Sequence, residues 1–331
     1  VAGSRLRVSV GGGGGFYFQL LIFLFFMMGR SRWTWFLILP ALLWLGVFFV
    51  VPLGMTAAAA FARRGEPLEW TFSIGAWVEL GRGGFAVVAR DPDDAAAGWR
   101  FQNEALAVGW RTFWVSAATT AGAFVIGFPA ALFMVRRSAR WRRVLYGLIM
   151  LPLVANSLIL AYAWVTLLRR DGLVEKFLRT LGVLGEDGSL GLIYTPSAVV
   201  LGMIYWYLPF MVYPVYSSLE KFDWRLLEAA ADLGATAWQR LVHVLWPLAL
   251  PGIMTGCLLV FVQAAGTLVF PELLGGSKTR LLGPLIHDKF LSYPENYPLG
   301  SALALALMIL TTLGVWQALR VSGERKDNSV S

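Results

Sequence analysis

Apolar residues gather into six long runs, near 33–61, 105–135, 144–168, 193–219, 248–270 and 298–320, separated by shorter polar stretches. Crossing roughly 30 Å of hydrocarbon at 1.5 Å per residue takes about 20 residues, and each run reaches that length. Lipid offers no hydrogen-bond partner to a bare backbone, so a spanning segment is a helix or a strand of a closed barrel. Runs this long and continuous exceed barrel strands. The pattern predicts an all-α integral membrane protein with six transmembrane helices.

One segment between the fourth and fifth runs, 220–247, is too polar to span. Asp223 is placed to cap a short helix over Trp224 to Leu233, and Gly234 to end it in the left-handed conformation. Thr236 caps a second helix with Ala237, Leu241, Val242 and Leu245 on one face, which Pro247 is expected to stop. Two amphipathic helices meeting at a glycine each need a partner for an apolar face, so this segment reads as a docking element.

Ahead of the first span, five glycines precede Phe16 to Met28, an apolar run too short to cross and resembling the core of a signal peptide. No small-residue cleavage site follows it. Residues 1–30 are therefore read as an extension outside the fold, the alternative being an interfacial anchor. Residues 31–321 form the membrane domain and 322–331 a tail.

Composition agrees with the setting: 57% hydrophobic, 15% charged, 15 Trp and a mean hydropathy of +0.64 lie far from an ordinary soluble domain. Lys and Arg are retained on the cytoplasmic side, so Arg136, Arg137, Arg140, Arg142 and Arg143 place their loop inside. Six spans then put both termini on the cytoplasmic side. The inner side carries 15 basic and 6 acidic residues, the outer side 13 and 14. The net charge of +8 is thus a topology signal, and no basic stripe interleaved with aromatics suggests nucleic acid as a partner. This topology sets 62–104, 169–192 and 271–297 outside, the first being an acidic, alanine-rich loop without assigned chemistry, and faces 220–247 toward the cytosol.

Chemistry of other kinds finds little support. Cys257, the single cysteine, lies within span five and reads as a small packing residue. His243 and His287 fall on opposite sides and cannot share a metal or a proton. No converging set of catalytic residues lies at membrane depth, so an enzyme is not expected. Gly275-Gly276-Ser277-Lys278-Thr279 resembles a phosphate loop but lacks its first glycine and has Ser277 between Gly276 and Lys278. The deep polar residues are Asn156, Ser157 and Gln263, with no carboxylate in mid-span. A proton- or sodium-coupled carrier would show ionisable residues or broken helices there. An inner docking device instead suggests an external motor.

The docking segment resembles the E-A-A-x(3)-G-x(9)-I-x-L-P signature of ABC importer permeases. Glu228, Ala229, Ala230 and Gly234 match, and Val244, Leu245, Trp246 and Pro247 close it, with Val for Ile and Trp for Leu. The six-span layout from 31 to 321 is similar to the type I importer fold. Within that superfamily the chain looks most like spermidine/putrescine permeases, through Phe270-Pro271-Glu272-Leu273-Leu274-Gly275-Gly276, Ser277-Lys278-Thr279, Leu282-Gly283-Pro284-Leu285-Ile286 and Asn296-Tyr297-Pro298-Leu299-Gly300. Permeases for ferric iron, thiamine and sulfate share much of this layout.

The resemblance implies a permease subunit that pairs with itself or a sister chain and receives solute from a periplasmic binding protein. It holds no cofactor of its own; ATP is bound and hydrolysed by a cytosolic ABC ATPase dimer, in whose groove the helix at 224–233 sits. Coupling is then expected at Glu228, Ala229, Ala230, Gly234 and Pro247. Glu228 either pairs with a basic residue of the ATPase or forms an intrahelical pair with Arg225. Candidates for the translocation path are Asn156, Ser157, Gln263 and Glu272. Tyr162, Trp164, Tyr205, Trp206 and Tyr207 offer faces for cation–π contact or simply pack. Glu272 either attracts cations or orients the adjoining Gly-rich turn.

Overall fold

The computed structural model describes residues 32–63, 71–81, 85–87, 99–101, 104–183, 189–276, 279–292 and 296–327. The run Phe16 to Met28 lies outside the described residues, as do Ser277, Lys278 and most of the acidic first loop. The chain divides into two compact units, Val1–Ala58 and Ala59–Ser331.

In the first unit, α1 (Arg32–Leu45) passes through a π-turn (Gly46–Val50) into α2 (Val51–Ala59), whose last residue already belongs to the second unit. Trp44, Phe48 and Phe49 lie exposed along it, which in water would be untenable and in lipid is ordinary.

The second unit is built on three helices. α4 (Glu104–Val135), at 32 residues about 48 Å long, packs on α8 (Pro196–Glu220), and α8 packs in turn on α11 (Trp246–Ala265). The close approach of α8 and α11 follows from small residues four apart. A Cβ on Gly252 would lie 2.6 Å from the Pro214 carbonyl oxygen, and one on Gly256 would lie 2.9 Å from Met211 Sδ. Small residues at this spacing let membrane helices meet backbone to backbone, where dispersion contacts replace the hydrophobic effect. Met203, Met211, Val215 and Leu219 of α8 are buried between Ala123, Ala131 and Met134 of α4 and Ala249, Ile253 and Val260 of α11. Thr195 caps α8, accepting from Ala198 N–H at 3.3 Å, with Pro196 in the first turn where its missing donor costs nothing.

Smaller elements frame these three. α3 (Gly75–Gly81) packs on the long last helix α14 (Tyr297–Asp327), which α13 (Leu282–Leu291) also meets. Thr112 Oγ1, buried on α4, accepts the Leu282 N–H at 2.9 Å and pins the start of α13. α12 (Val269–Gly275) packs against α8 and against α6 (Ser157–Leu168), which leads to the amphipathic α7 (Leu173–Thr180). α14 runs beyond the expected end of its span, to Asp327.

Three expectations change. The all-helical picture gains one short antiparallel pairing, β1 (Phe85–Val87) with β2 (Trp99–Phe101). Span three is not straight: α5 (Ala139–Val154) and the segment beginning at Ser157 meet at 95°. Pro152 two residues before the end of α5, and Ala155 in an extended conformation, break the helix there, so among the described residues five helices are long and apolar enough to cross, or six if the bent pair forms one span. Pro247 does not stop its helix. A π-turn over Leu241–Leu245, in which Trp246 N–H donates to the Leu241 carbonyl, opens the backbone just ahead of the ring, and Ala237–Ala265 continues as one 29-residue helix.

Candidate functional site

The segment after α8 begins with a tether. Tyr216 hydroxyl donates to Glu220 Oε1 at 2.8 Å, and Arg142 Nη1 reaches the same oxygen at 2.9 Å and the tyrosine hydroxyl at 3.3 Å. The arginine lies in the first turn of α5, at the end of the basic segment 136–143 that begins in the turn after α4. From that turn Arg136 also lies over the Trp224 ring, 5.2 Å from its centroid, and Trp224 meets Phe222 edge to face at 5.1 Å. The basic segment and the polar helix pair therefore occupy the same end of the bundle. In the sequence those arginines speak only to topology. The signal that points to the tether is the aromatic and acidic flank of the motif, Tyr216, Glu220, Phe222 and Trp224.

α9 (Arg225–Asp232) follows. Asp223 Oδ1 accepts the Arg225 N–H at 3.1 Å, so the aspartate does hold the helix start, although Trp224 is already helical in its backbone. The end is a Schellman arrangement: Ala235 N–H donates to the Ala230 carbonyl and Gly234 N–H to that of Ala231, with Gly234 at φ +83°. The next helix, α10 (Ala237–Arg240), starts from a full capping box, Gln239 N–H to Thr236 Oγ1 at 3.3 Å and Thr236 N–H to Gln239 Oε1 at 2.8 Å.

Leu227 and Leu241 turn inward, while Leu226, Glu228, Ala229, Asp232, Leu233 and Trp238 face out. Leu233 at 89% and Trp238 at 70% exposure are large apolar groups left in the open on either side of the glycine. Of the two readings for Glu228, the pair with Arg225 is not formed among the described residues, which leaves its carboxylate available. Trp246, which stands where the signature has leucine, packs its ring edge-on to Phe124 at 5.8 Å and beside Phe128 at 5.9 Å. Pro247 lies exposed in the first turn of α11.

The path candidates separate. Asn156 sits at the break in span three and accepts the Leu158 N–H at 2.8 Å, capping α6, with Ser157 next to it in the first turn. Glu272 lies exposed on α12, the helix packed against α6, and its carboxylate accepts no hydrogen bond from a described residue. Gln263 lies on the last turns of α11, where its backbone carbonyl, not its side chain, accepts the Tyr207 hydroxyl at 3.2 Å. The aromatic candidates form no common cage: Tyr207 is buried, Trp164 packs on Tyr205, and Trp206 on Phe270.

At the opposite end from the basic turn, Glu175 of α7 is 2% exposed, a burial that no pattern in the sequence marks. It accepts Asp171 N–H at 2.9 Å, Leu190 N–H at 3.0 Å and the Ser189 hydroxyl at 3.2 Å, with Arg179 beside it. The Asp171 amide first, then the Leu190 amide, the Ser189 hydroxyl and the nearby Arg179 charge, hold this carboxyl below the usual glutamate range despite its burial.

Residues 123–322 match the family described as the binding-protein-dependent transport system inner membrane component. The chain belongs to that family. Among relatives of this permease, the spermidine/putrescine transport system permease protein PotB of Haemophilus influenzae is 39% identical over 213 residues, 64% of this chain and 73% of that one. PotB of Escherichia coli is 40% identical over 211 residues, covering 63% and 76%. The E. coli inner membrane ABC transporter permease protein YdcU is 33% identical over 61% and 67%. The permease also shares its fold with a chain of a bacterial alginate ABC transporter crystallised with an alginate pentasaccharide-bound periplasmic protein. That superposition has a TM-score of 0.67, covering 93% of this chain and 96% of the other at 16% identity.

Proposed function

We propose that this permease carries a polyamine, spermidine or putrescine, into the cytoplasm as one half of an ATP-driven pore. The observation that carries the solute is the 39–40% identity to two PotB proteins over about three quarters of their length. The helix pair at 220–247 faces the cytosol and docks on a separate ATPase through Leu226, Glu228, Ala229, Leu233 and Trp238. Exposed apolar side chains flanking a free carboxylate support that role. A second permease subunit completes the path, and a periplasmic binding protein delivers solute to the end that carries α7. Both helix ends that flank the membrane domain then lie in the cytoplasm.

The break at Ala155–Asn156 offers little to a coupling ion: Asn156 is spent on a helix cap, and the residues around it, Val154, Leu158 and Ile159, are apolar and exposed. Broken spans in secondary carriers bring ionisable groups or substrate to the gap. A carrier working without a motor is therefore the weaker reading.

The test is uptake of labelled spermidine and putrescine in cells stripped of their own polyamine importers and supplied with this permease, its ATPase, its sister chain and its binding protein. ATP-dependent uptake that disappears when this chain alone is omitted supports the proposal. Uptake of molybdate, thiamine or ferric iron instead, with none of polyamine, overturns the solute while keeping the transporter.

A further inference from the structure

The basic turn contains more arginine than the helix pair uses. Arg136 and Arg142 are engaged with Trp224, Tyr216 and Glu220. Arg137 and Arg140 are exposed and have no carboxylate partner among the described residues. Arg137 is held in place by an apolar neighbour, its guanidinium carbon 4.2 Å from the centroid of the Phe133 ring. Directly after them α5 presents Trp141, Val144, Leu148 and Leu151, between 53% and 62% exposed and spaced so that they form one stripe. Arg140 stands one helical turn before Val144 on that stripe. The bent pair to which α5 belongs has the length and hydropathy of a span, so an exposed apolar stripe on it is suited to hydrocarbon.

Along the segment two exposed guanidinium groups precede an exposed indole, and the indole precedes a strip of exposed aliphatic side chains. This matches an amphiphile with an anionic phosphate head, an interfacial region and acyl tails. Guanidinium pairs phosphate oxygens two at a time, Trp favours the headgroup level, and basic clusters at the membrane surface select anionic lipids. A soluble protein partner would satisfy the arginines but not the stripe, which continues into the membrane. We propose that Arg137, Arg140 and Trp141 form a binding site for the headgroup of an anionic phospholipid whose chains lie along Val144, Leu148 and Leu151. The lipid would brace the same turn that, through Arg136 and Arg142, holds the helix pair in position. The binding itself does not depend on which solute is carried.

The test uses the full-length chain purified in neutral detergent and offered equal amounts of phosphatidylglycerol and phosphatidylcholine with identical chains, with native mass spectrometry reading what stays bound. The wild type is expected to prefer phosphatidylglycerol by about tenfold, and Arg137→Gln/Arg140→Gln to bring the two lipids within about twofold. Arg169→Gln/Arg170→Gln, the same charge change at the other end of span three, should keep the preference. Thermal unfolding of each variant checks that its fold is intact. If the wild type shows no preference, or both double variants lose it equally, the proposal is overturned. If soluble glycerol phosphate binds as tightly as the whole lipid, the stripe plays no part and the proposal also falls.

Discussion

Arg142 and Glu220 meet at 2.9 Å, joining the first turn of α5 to the last turn of α8 at the point where the chain leaves the bundle for the helix pair. Both side chains are partly solvated, at 32% and 49% exposure, so the pair itself is worth no more than about 1 kcal/mol of stability. Its use is orientation. A single change, Arg142→Glu, should leave melting nearly unaltered yet reduce ATPase stimulation by solute-loaded binding protein. The exchange Arg142→Glu with Glu220→Arg should restore most of that stimulation. Equal activity of the single variant and the wild type would show that the tether plays no part in coupling.

Gly234 tests the docking surface from the other side. Its φ of +83° is costly for a residue with a Cβ, while nothing lies within 4 Å of where that Cβ would sit. Valine therefore strains the turn without a clash. Gly234→Val should reach the membrane at normal levels but fail to retain the ATPase on purification, whereas Gly234→Asn, which tolerates the left-handed region, should retain part of it. Full ATPase retention and coupled uptake by the valine variant would refute the docking role.

The helix pair is legible in the sequence because its determinants are local: Asp223, Gly234 and Thr236 act within a few residues, and all three hold their predicted ends. Span three is less so. Its apolar run continues through Ala155, and hydropathy does not register a change of direction made by Pro152 and an extended residue. Pro247 misleads for a related reason, since a π-turn that absorbs a proline leaves no mark in composition. The contacts of Arg142 and Arg136 link positions far apart in the chain, and only the fold shows which arginines are engaged with the helix pair.

The α8–α11 contact should be intolerant of volume. At Gly252 an added Cβ would stand 2.6 Å from a backbone oxygen, which cannot swing aside as a side chain can. Gly252→Val is expected to cost at least about 3 kcal/mol, the upper range of core overpacking, and to abolish folded protein in detergent. Gly147→Ala, on an open stretch of α5 with nothing within 4 Å, should be neutral or slightly stabilising. Monodisperse elution of the Gly252 variant would show that the two helices can separate at little cost.

Glu175 gives the end that carries α7 a pH dependence whose sign follows from its hydrogen bonds. Its carboxyl is held below the ordinary value in the folded protein, so its contribution is full above the unfolded glutamate pKa, about 4.3, and is lost as pH falls through the lower folded value. The Leu190 amide, which donates to it, should be protected near neutrality relative to a free amide at the same pH and should lose that protection as the carboxylate is protonated. Glu175→Gln should show that loss of protection already at neutral pH. Identical exchange in the wild type and the Glu175→Gln variant across the range would mean that the rest of the loop holds itself.

Glu272 separates attraction from architecture. It is exposed, carries no hydrogen bond from a described residue and lies on α12, the helix packed against α6. Removing its charge should therefore leave folding untouched. If the solute is the proposed polyamine it arrives with several positive charges, and a carboxylate near its entrance would raise its local concentration only within the Debye length, about 10 Å at 0.1 M salt. Glu272→Gln should lower the apparent affinity for polyamine uptake at low ionic strength, and the difference from wild type should shrink as salt is added. A defect independent of salt would point instead to a contact inside the path. Unchanged uptake at low salt would remove Glu272 from the transport mechanism altogether.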